Sequence, residues 1–80
     1  GYAVNGLTTL ASYNVISGLT SSTPTQIAHN LNNPNIMVQA WNSTNDLYVM
    51  TVSKFTGDTN NIIIVEAAIT DTYRINVLGL

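Results

Sequence analysis

The stretch Ile62-Ile63-Ile64-Val65-Glu66-Ala67-Ala68-Ile69-Thr70-Asp71-Thr72-Tyr73-Arg74-Ile75-Asn76-Val77-Leu78 decides the fold class. Two runs rich in β-branched residues flank a short connecting segment, and neither run has the 3.6-residue period of a helix. Paired as an antiparallel hairpin with Glu66 opposite Arg74, the runs set the only glutamate against the only arginine, and opposite charges on facing strands favour that register. Alternation then puts Ile63, Val65 and Ala67 beside Tyr73, Ile75 and Val77 on one wholly apolar face, fit for a core. The other face carries Ile62, Ile64, Glu66, Arg74, Asn76 and Leu78. It is too apolar for open water: either a second sheet or layer covers it or a neighbouring subunit does, and the scarcity of charge favours the subunit, with Ile62, Ile64 and Leu78 at the interface.

Upstream, the same grammar repeats. Ile36 to Trp41, the turn cluster Asn42 to Asp46 and Leu47 to Phe55 read as a hairpin with a five-residue loop. A second turn cluster, Thr56 to Asn61, leads into Ile62. The N-terminal third offers a strand at Ser12 to Ile16, loop material from Gly18 to Pro24 and a short extended run, Thr25 to Ala28. His29 to Asn35 follows, where Pro34 biases Asn33 away from helix. The expectation is an all-β chain: a small antiparallel β-sandwich of five to six strands in two layers, assembled as an oligomer. Residues 25–80 would form the sandwich module. Residues 1–24 would form an N-terminal strand or linker continuing from a preceding shaft, with Gly1 to Thr9 a linker, an exchanged strand or the tail of that shaft. A chain opening at Gly1 without Met is expected to be a piece of something longer.

Composition narrows the function classes. The chain has 80 residues, no Cys, two Pro, 45% hydrophobic residues and only 8% charged ones, against about 25% charged in ordinary soluble domains. So short a chain buries only about 60% of its unfolded surface, and with no disulfide available, oligomerisation is the expected source of further burial. Lys54 and Arg74 are the only cations and the formal charge is −2, so neither nucleic-acid nor anionic-membrane binding is expected. The longest apolar run, Ile62 to Val65, is far short of the roughly 20 residues of a spanning helix, and membrane insertion is not expected. Asn, Thr and Ser supply 28 of the 80 residues, a vocabulary of strand surfaces and turns.

Chemistry-bearing residues are few. His29 is the only imidazole, no Gly-x-Ser-x-Gly setting accompanies any serine, and Asp46, Asp58 and Asp71 sit in turn clusters where an Asp ordinarily bonds its own backbone. No catalysis and no cofactor are expected. Zinc wants three or four N or S ligands; one His per chain could serve only as three copies on a threefold axis, and a His bonding a backbone carbonyl before Pro34 is the simpler expectation. Neither Asn42 to Asp46 nor Asp58 to Asn61 has the spacing of a calcium loop, so no metal site is expected. Asn42-Ser43-Thr44 matches the glycosylation sequon, as chance allows in so Asn- and Thr-rich a chain. Trp41 stands at the edge of the Asn42 to Asp46 loop, where a sugar could stack on the indole while Asn42, Asn45 and Asp46 bond its hydroxyls. With Tyr48 these form the expected ligand-binding set. The competing expectation is that Trp41 packs over the hairpin end against Leu47 or into a subunit interface.

Two stretches carry a family likeness: Thr25-Gln26-Ile27-Ala28-His29-Asn30-Leu31 running through Pro34 into Ile36-Met37-Val38-Gln39, and the closing Tyr73-Arg74-Ile75-Asn76-Val77-Leu78-Gly79. Together they resemble the small β-sandwich modules of tail-fibre and other virion structural proteins of tailed bacteriophages, which share an extended strand, a His-Asn-Leu turn and a Tyr-Arg-Val-x-Val-x-Gly closing strand. The likeness spans residues 25–79. It implies an extracellular, non-enzymatic virion module, the distal part of a homotrimeric tail fibre that attaches to a host-surface receptor, a glycan or a protein. The alternatives are a purely structural module that trimerises or docks a neighbouring virion protein, or a free-standing oligomeric lectin such as the H-type lectins, whose aromatic-rich closing strand Tyr73 to Leu80 only loosely echoes. His29, Asn30 and Leu31 correspond to a turn element. The loop after Trp41 lacks the Gly often found there, and a single His gives no counterpart to the iron-holding His-x-His pairs of long fibre tips.

Overall fold

The computed structural model describes residues 10–80. They form seven strands: β1 (Ser12–Leu19), β2 (Thr25–Ala28), β3 (Ile36–Trp41), β4 (Leu47–Tyr48), β5 (Thr51–Lys54), β6 (Ile62–Glu66) and β7 (Asp71–Gly79). These build two antiparallel sheets, one in the order β1-β7-β3-β4 and the other in the order β2-β6-β5. The all-β, two-layer reading is therefore met, with seven strands where five to six are predicted. The expectations placed on Gly1 to Thr9 lie outside the described residues.

The register of the decisive stretch is corrected. β6 and β7 do not pair: β6 is the middle strand of the three-stranded sheet and β7 an inner strand of the four-stranded one. The alternation nonetheless holds, because Ile63, Val65, Ala67, Tyr73, Ile75 and Val77 are all completely buried. Side by side in one hairpin, these six side chains would need a separate layer to cover them. Placed in two sheets they cover each other, with Leu19, Ile27 and Ala40 completing the core. Each large aliphatic buried in this way contributes roughly 1.5–3 kcal/mol of transfer free energy.

Two consequences follow for the surface. Glu66 stands opposite Thr51 in one sheet, while Arg74 lies between Ile16 and Trp41 in the other, so the expected cross-strand charge pair does not exist. Ile62, Ile64 and Leu78 do not share a face either. Ile62 and Ile64 lie half-buried on the outside of the three-stranded sheet, and Leu78 lies on the outside of the four-stranded sheet.

The chain crosses between sheets at residues 67–70. Tyr73 holds that arch: its hydroxyl donates to the Ile69 carbonyl at 2.6 Å, and the Tyr48 hydroxyl, from a ring 4.9 Å away and tilted by 44°, accepts from the Ala68 N–H at 2.9 Å. A Tyr at the start of a strand bonding back to the corner before it is a recurrent sandwich device. Burial pushes the Tyr73 hydroxyl above its ordinary pKa, and the nearby Tyr48 adds to the shift. The loop between β1 and β2 closes on the same arch. Ser22 N donates to the Ala67 carbonyl, Ser21 N to Thr70 Oγ1, and the Ser21 hydroxyl to the Ala68 carbonyl.

The predicted strand Leu47 to Phe55 is divided as well. Its first two residues pair with β3 at Ala40 and Trp41, and Thr51–Lys54 pairs with β6 in the other sheet. Val49, at the crossing, is 88% exposed. At the other end of the sequence, β1 extends three residues beyond the predicted Ile16 and pairs with β7 along its whole length. Ser12–Leu19 is thus an edge strand of the four-stranded sheet.

Candidate functional site

The five residues expected to bind ligand are not brought together. Tyr48 pairs with buried Ala40 and turns inward; its hydroxyl is occupied by the Ala68 N–H. Trp41 pairs with Leu47 on the opposite side of the sheet, outward and half-buried, and its indole N–H donates to Gln39 Oε1 at 3.1 Å.

Between these strands, Asn42 to Asp46 is built by its own side chains. Asn42 Oδ1 accepts from Thr44 N, Thr44 Oγ1 and Asp46 N, at 3.1, 2.9 and 2.9 Å, the self-bonding expected of Asn in a turn. Asn45 takes the left-handed conformation, with φ of 66°, which Asn tolerates better than most residues. Asp46 Oδ2 accepts from the Thr44 hydroxyl. Ser43 is tied across to Asp71, whose carboxylate accepts from the Ser43 hydroxyl at 2.9 Å and from Thr72 N at 2.7 Å. Those two bonds, the Ser43 hydroxyl first, lower the Asp71 pKa below its ordinary value. The loop is thus a rigid cap with much of its hydrogen-bonding capacity spent within itself.

The exposed polar groups that converge lie on strands. On the outer face of the four-stranded sheet, three rows run across β1, β7 and β3. The first is Ser12, Leu78 and Met37, the second Asn14, Asn76 and Gln39, and the third Ile16, Arg74 and Trp41, which Leu47 of β4 continues. The middle row is a chain of amides. Asn14 Nδ2 donates to Asn76 Oδ1 at 2.7 Å, Asn76 Nδ2 donates to Gln39 Oε1 at 3.4 Å, and Trp41 Nε1 joins at the same oxygen. Arg74 Nη2 donates to Asn45 Oδ1 at 2.9 Å, which clamps the loop onto the end of this face. Apolar side chains flank the amides. Ile16 is 70% exposed, Met37 55% and Leu47 56%. Asn14 and Asn76 line two shallow grooves, one extending to Met37 and Leu78, the other to Ile16 and Arg74.

Of the expected set, only Trp41, with Asn45 at the loop end, reaches this face. Asn14, Ile16, Met37, Gln39, Arg74 and Asn76 lie outside the binding set expected from the sequence. Their strands show polar residues at alternate positions, but assembling them into rows needs the partners of β7, which the sequence does not supply.

His29 plays no part in the face. It is 2% exposed, its Nδ1 accepts the Leu31 N–H at 3.1 Å, and its Nε2 has no partner among the described residues. The expected bond to a backbone carbonyl is replaced by one from a backbone N–H. Burial lowers the His29 pKa from its ordinary value, with Asp58 opposing the shift. So enclosed an imidazole does not present itself to an ion on a symmetry axis, and among the described residues no three His, Cys, Asp or Glu gather. A further concavity lies between the sheets, where β3, β5 and β6 leave Ile36, Val38, Val52, Ser53, Lys54 and Ile63 around an open seam; its two polar side chains, Ser53 and Lys54, are neighbours on one strand and form no row across strands.

Compared with protein-family models, with curated proteins and with solved structures, the chain matches none.

Proposed function

We propose that the chain is a non-enzymatic attachment module of a tailed-bacteriophage virion, the distal part of a homotrimeric tail fibre, and that it grips a host-surface glycan with the outer face of the β1-β7-β3-β4 sheet. The observation that carries the binding part is the in-register amide row Asn14–Asn76–Gln39 ending at the Trp41 indole. Amides offer donors and acceptors together, which sugar hydroxyls require, and an indole offers a flat apolar surface to a sugar ring. Strands hold these groups more rigidly than a loop would, so little side-chain ordering is left to oppose binding. The virion setting is supported by the likeness of residues 25–79 to tail-fibre modules. The trimer is supported by the scarcity of charge and by the exposed Val49, Val52 and Ile69, which lie outside the strands of the β1-β7-β3-β4 sheet.

The test is retention of the purified chain on a panel of immobilised bacterial surface polysaccharides, with light scattering as a check on mass. The expected result is a mass of three chains that survives dilution, retention by at least one polysaccharide, and loss of retention in Trp41→Ala at unchanged mass. No retention on any polysaccharide would sink the glycan reading, and a stable monomer would sink the trimer. If Trp41→Ala instead dissolves the oligomer, the face is a subunit contact and the purely structural module becomes the better account. The 70% exposure of Ile16 is the observation that favours this second reading.

A further inference from the structure

We infer that the outer face of the four-stranded sheet takes a carboxylate-bearing sugar of the uronic-acid class, with Arg74 as the carboxylate receptor; the inference rests on the glycan-attachment reading of that face. Arg74 is the only arginine in a chain of four acids and two cations, yet it is hydrogen-bonded to none of those acids. Glu66 belongs to the other sheet, Asp58 accepts from Asn61, and the carboxylates of Asp71 and Asp46, which keep their charge, accept from Ser43, Thr72 and Thr44 and not from Arg74. Among the described residues the one side-chain bond of Arg74 runs from Nη2 to the neutral amide oxygen of Asn45, which orients the guanidinium without cancelling its charge. A guanidinium has five N–H donors in a fixed fork, matched to the two oxygens of a carboxylate.

The surroundings add the sugar. Arg74 lies between Ile16 and Trp41 in its row, and these apolar flanks reduce the water that would compete for the ion pair and offer a surface to the C–H face of a ring. The amide row lies two residues further along the strands, about 7 Å away at the rise of an antiparallel strand, a spacing on the scale of one pyranose ring. Among the described residues Asn14 Oδ1 and Gln39 Nε2 take no part in the side-chain bonds of that row, leaving one acceptor and one donor for ring hydroxyls. A single Arg on a protein of net charge −2 suits a monoanion. A polyphosphate draws several cations.

The test titrates the intact chain with tri-galacturonate and with its fully methyl-esterified form, followed by calorimetry and backbone amide shifts. The expected result is binding of the acid with shifts centred on residues 14, 39, 74 and 76, at least tenfold weaker binding of the ester, and a comparable loss in Arg74→Gln. Arg74→Lys should keep part of the affinity, and 0.5 M salt should weaken the acid selectively. Unchanged solution mass and unchanged dispersion of the backbone amide signals in both variants exclude loss of the fold as the cause. Equal binding of acid and ester overturns the carboxylate inference and leaves the attachment reading intact. Binding of neither form overturns it too, and the polysaccharide panel then decides the attachment reading separately. Shifts confined to the β3–β5 seam would overturn both.

Discussion

The connections β3–β4 and β6–β7 look alike in the sequence, each a short segment between strand-forming runs, yet one closes a hairpin and the other crosses between sheets. Their hydrogen bonds explain the difference. In residues 42–46 the turn is closed mainly by itself: Asn42 Oδ1 receives Thr44 and Asp46, Asn42 N donates to the Asp46 carbonyl, and Asn45 N donates to the Asn42 carbonyl, with Ser43–Asp71 and Arg74–Asn45 as its ties to the sheet. In residues 67–70 the partners come largely from afar, from Ser21, Ser22 and Tyr48, with Tyr73 the one nearby side chain. A turn that satisfies its own backbone is legible locally. A corner that borrows its partners exists only after the sheets have met, because buried backbone groups left unpaired carry a large penalty.

The most severe way to break this comparison is Tyr73→Ala, which removes a completely buried ring and the hydroxyl that holds the arch. A loss of about 3–5 kcal/mol is expected, read as a large drop in the denaturation midpoint; a loss under about 1 kcal/mol would show that the arch closes without its tyrosine. Tyr73→Phe separates the two contributions, keeping the ring and leaving the Ile69 carbonyl without this donor, at about 1–2 kcal/mol.

The connection between β2 and β3, residues 29–35, mixes the two styles. It has the local bond from Leu31 N to His29 Nδ1 and long bonds to the carbonyls of Asn60 and Asn61. Acid should loosen it. The folded-state pKa of His29 lies below the ordinary 6.5, so the unfolded chain takes up the proton first. The stability contributed by the buried neutral ring is complete above pH 6.5 and is lost as pH falls through that value towards the folded pKa, at no more than about 1.4 kcal/mol per pH unit for one proton. Denaturant titrations between pH 8 and pH 5 should show the slope, and His29→Gln should flatten it; an unchanged slope in that variant would assign the effect to other groups.

A smaller effect is expected at the turn that Asn42 closes. Asn42→Ala should cost about 1 kcal/mol and broaden amide signals only within residues 42–46, whereas spread to residues 67–70 would mean the two connections are coupled. The smallest effect tests the register itself. A double-mutant cycle on Glu66 and Arg74 should give a coupling within about 0.3–0.5 kcal/mol of zero, because the two residues belong to different sheets; a coupling above 1 kcal/mol would restore the hairpin.

Legibility of the candidate site follows the same division. Trp41 was visible as an aromatic beside a polar loop, and it does face outward. Asn42 and Tyr48 are close to it in sequence, but alternation sends Tyr48 to the opposite side of the sheet, and Asn42 spends its side-chain oxygen on the turn. Gln39 and Asn76 were legible as outward residues of their strands and became partners only when β3 and β7 paired.

What the sequence by itself determined is parity. Cβ direction alternates along any extended strand whatever its neighbour, so Ile63, Val65, Tyr73, Ile75 and Val77 were fixed as core while the pairing was still wrong. Only the tertiary structure decided which strand lies beside which, since two apolar rows can be buried beneath a common cover or against each other and the local chain favours neither. That choice parted Glu66 from Arg74, separated Ile62 and Ile64 from Leu78, and left the guanidinium beside Ile16 and Trp41 on an open face.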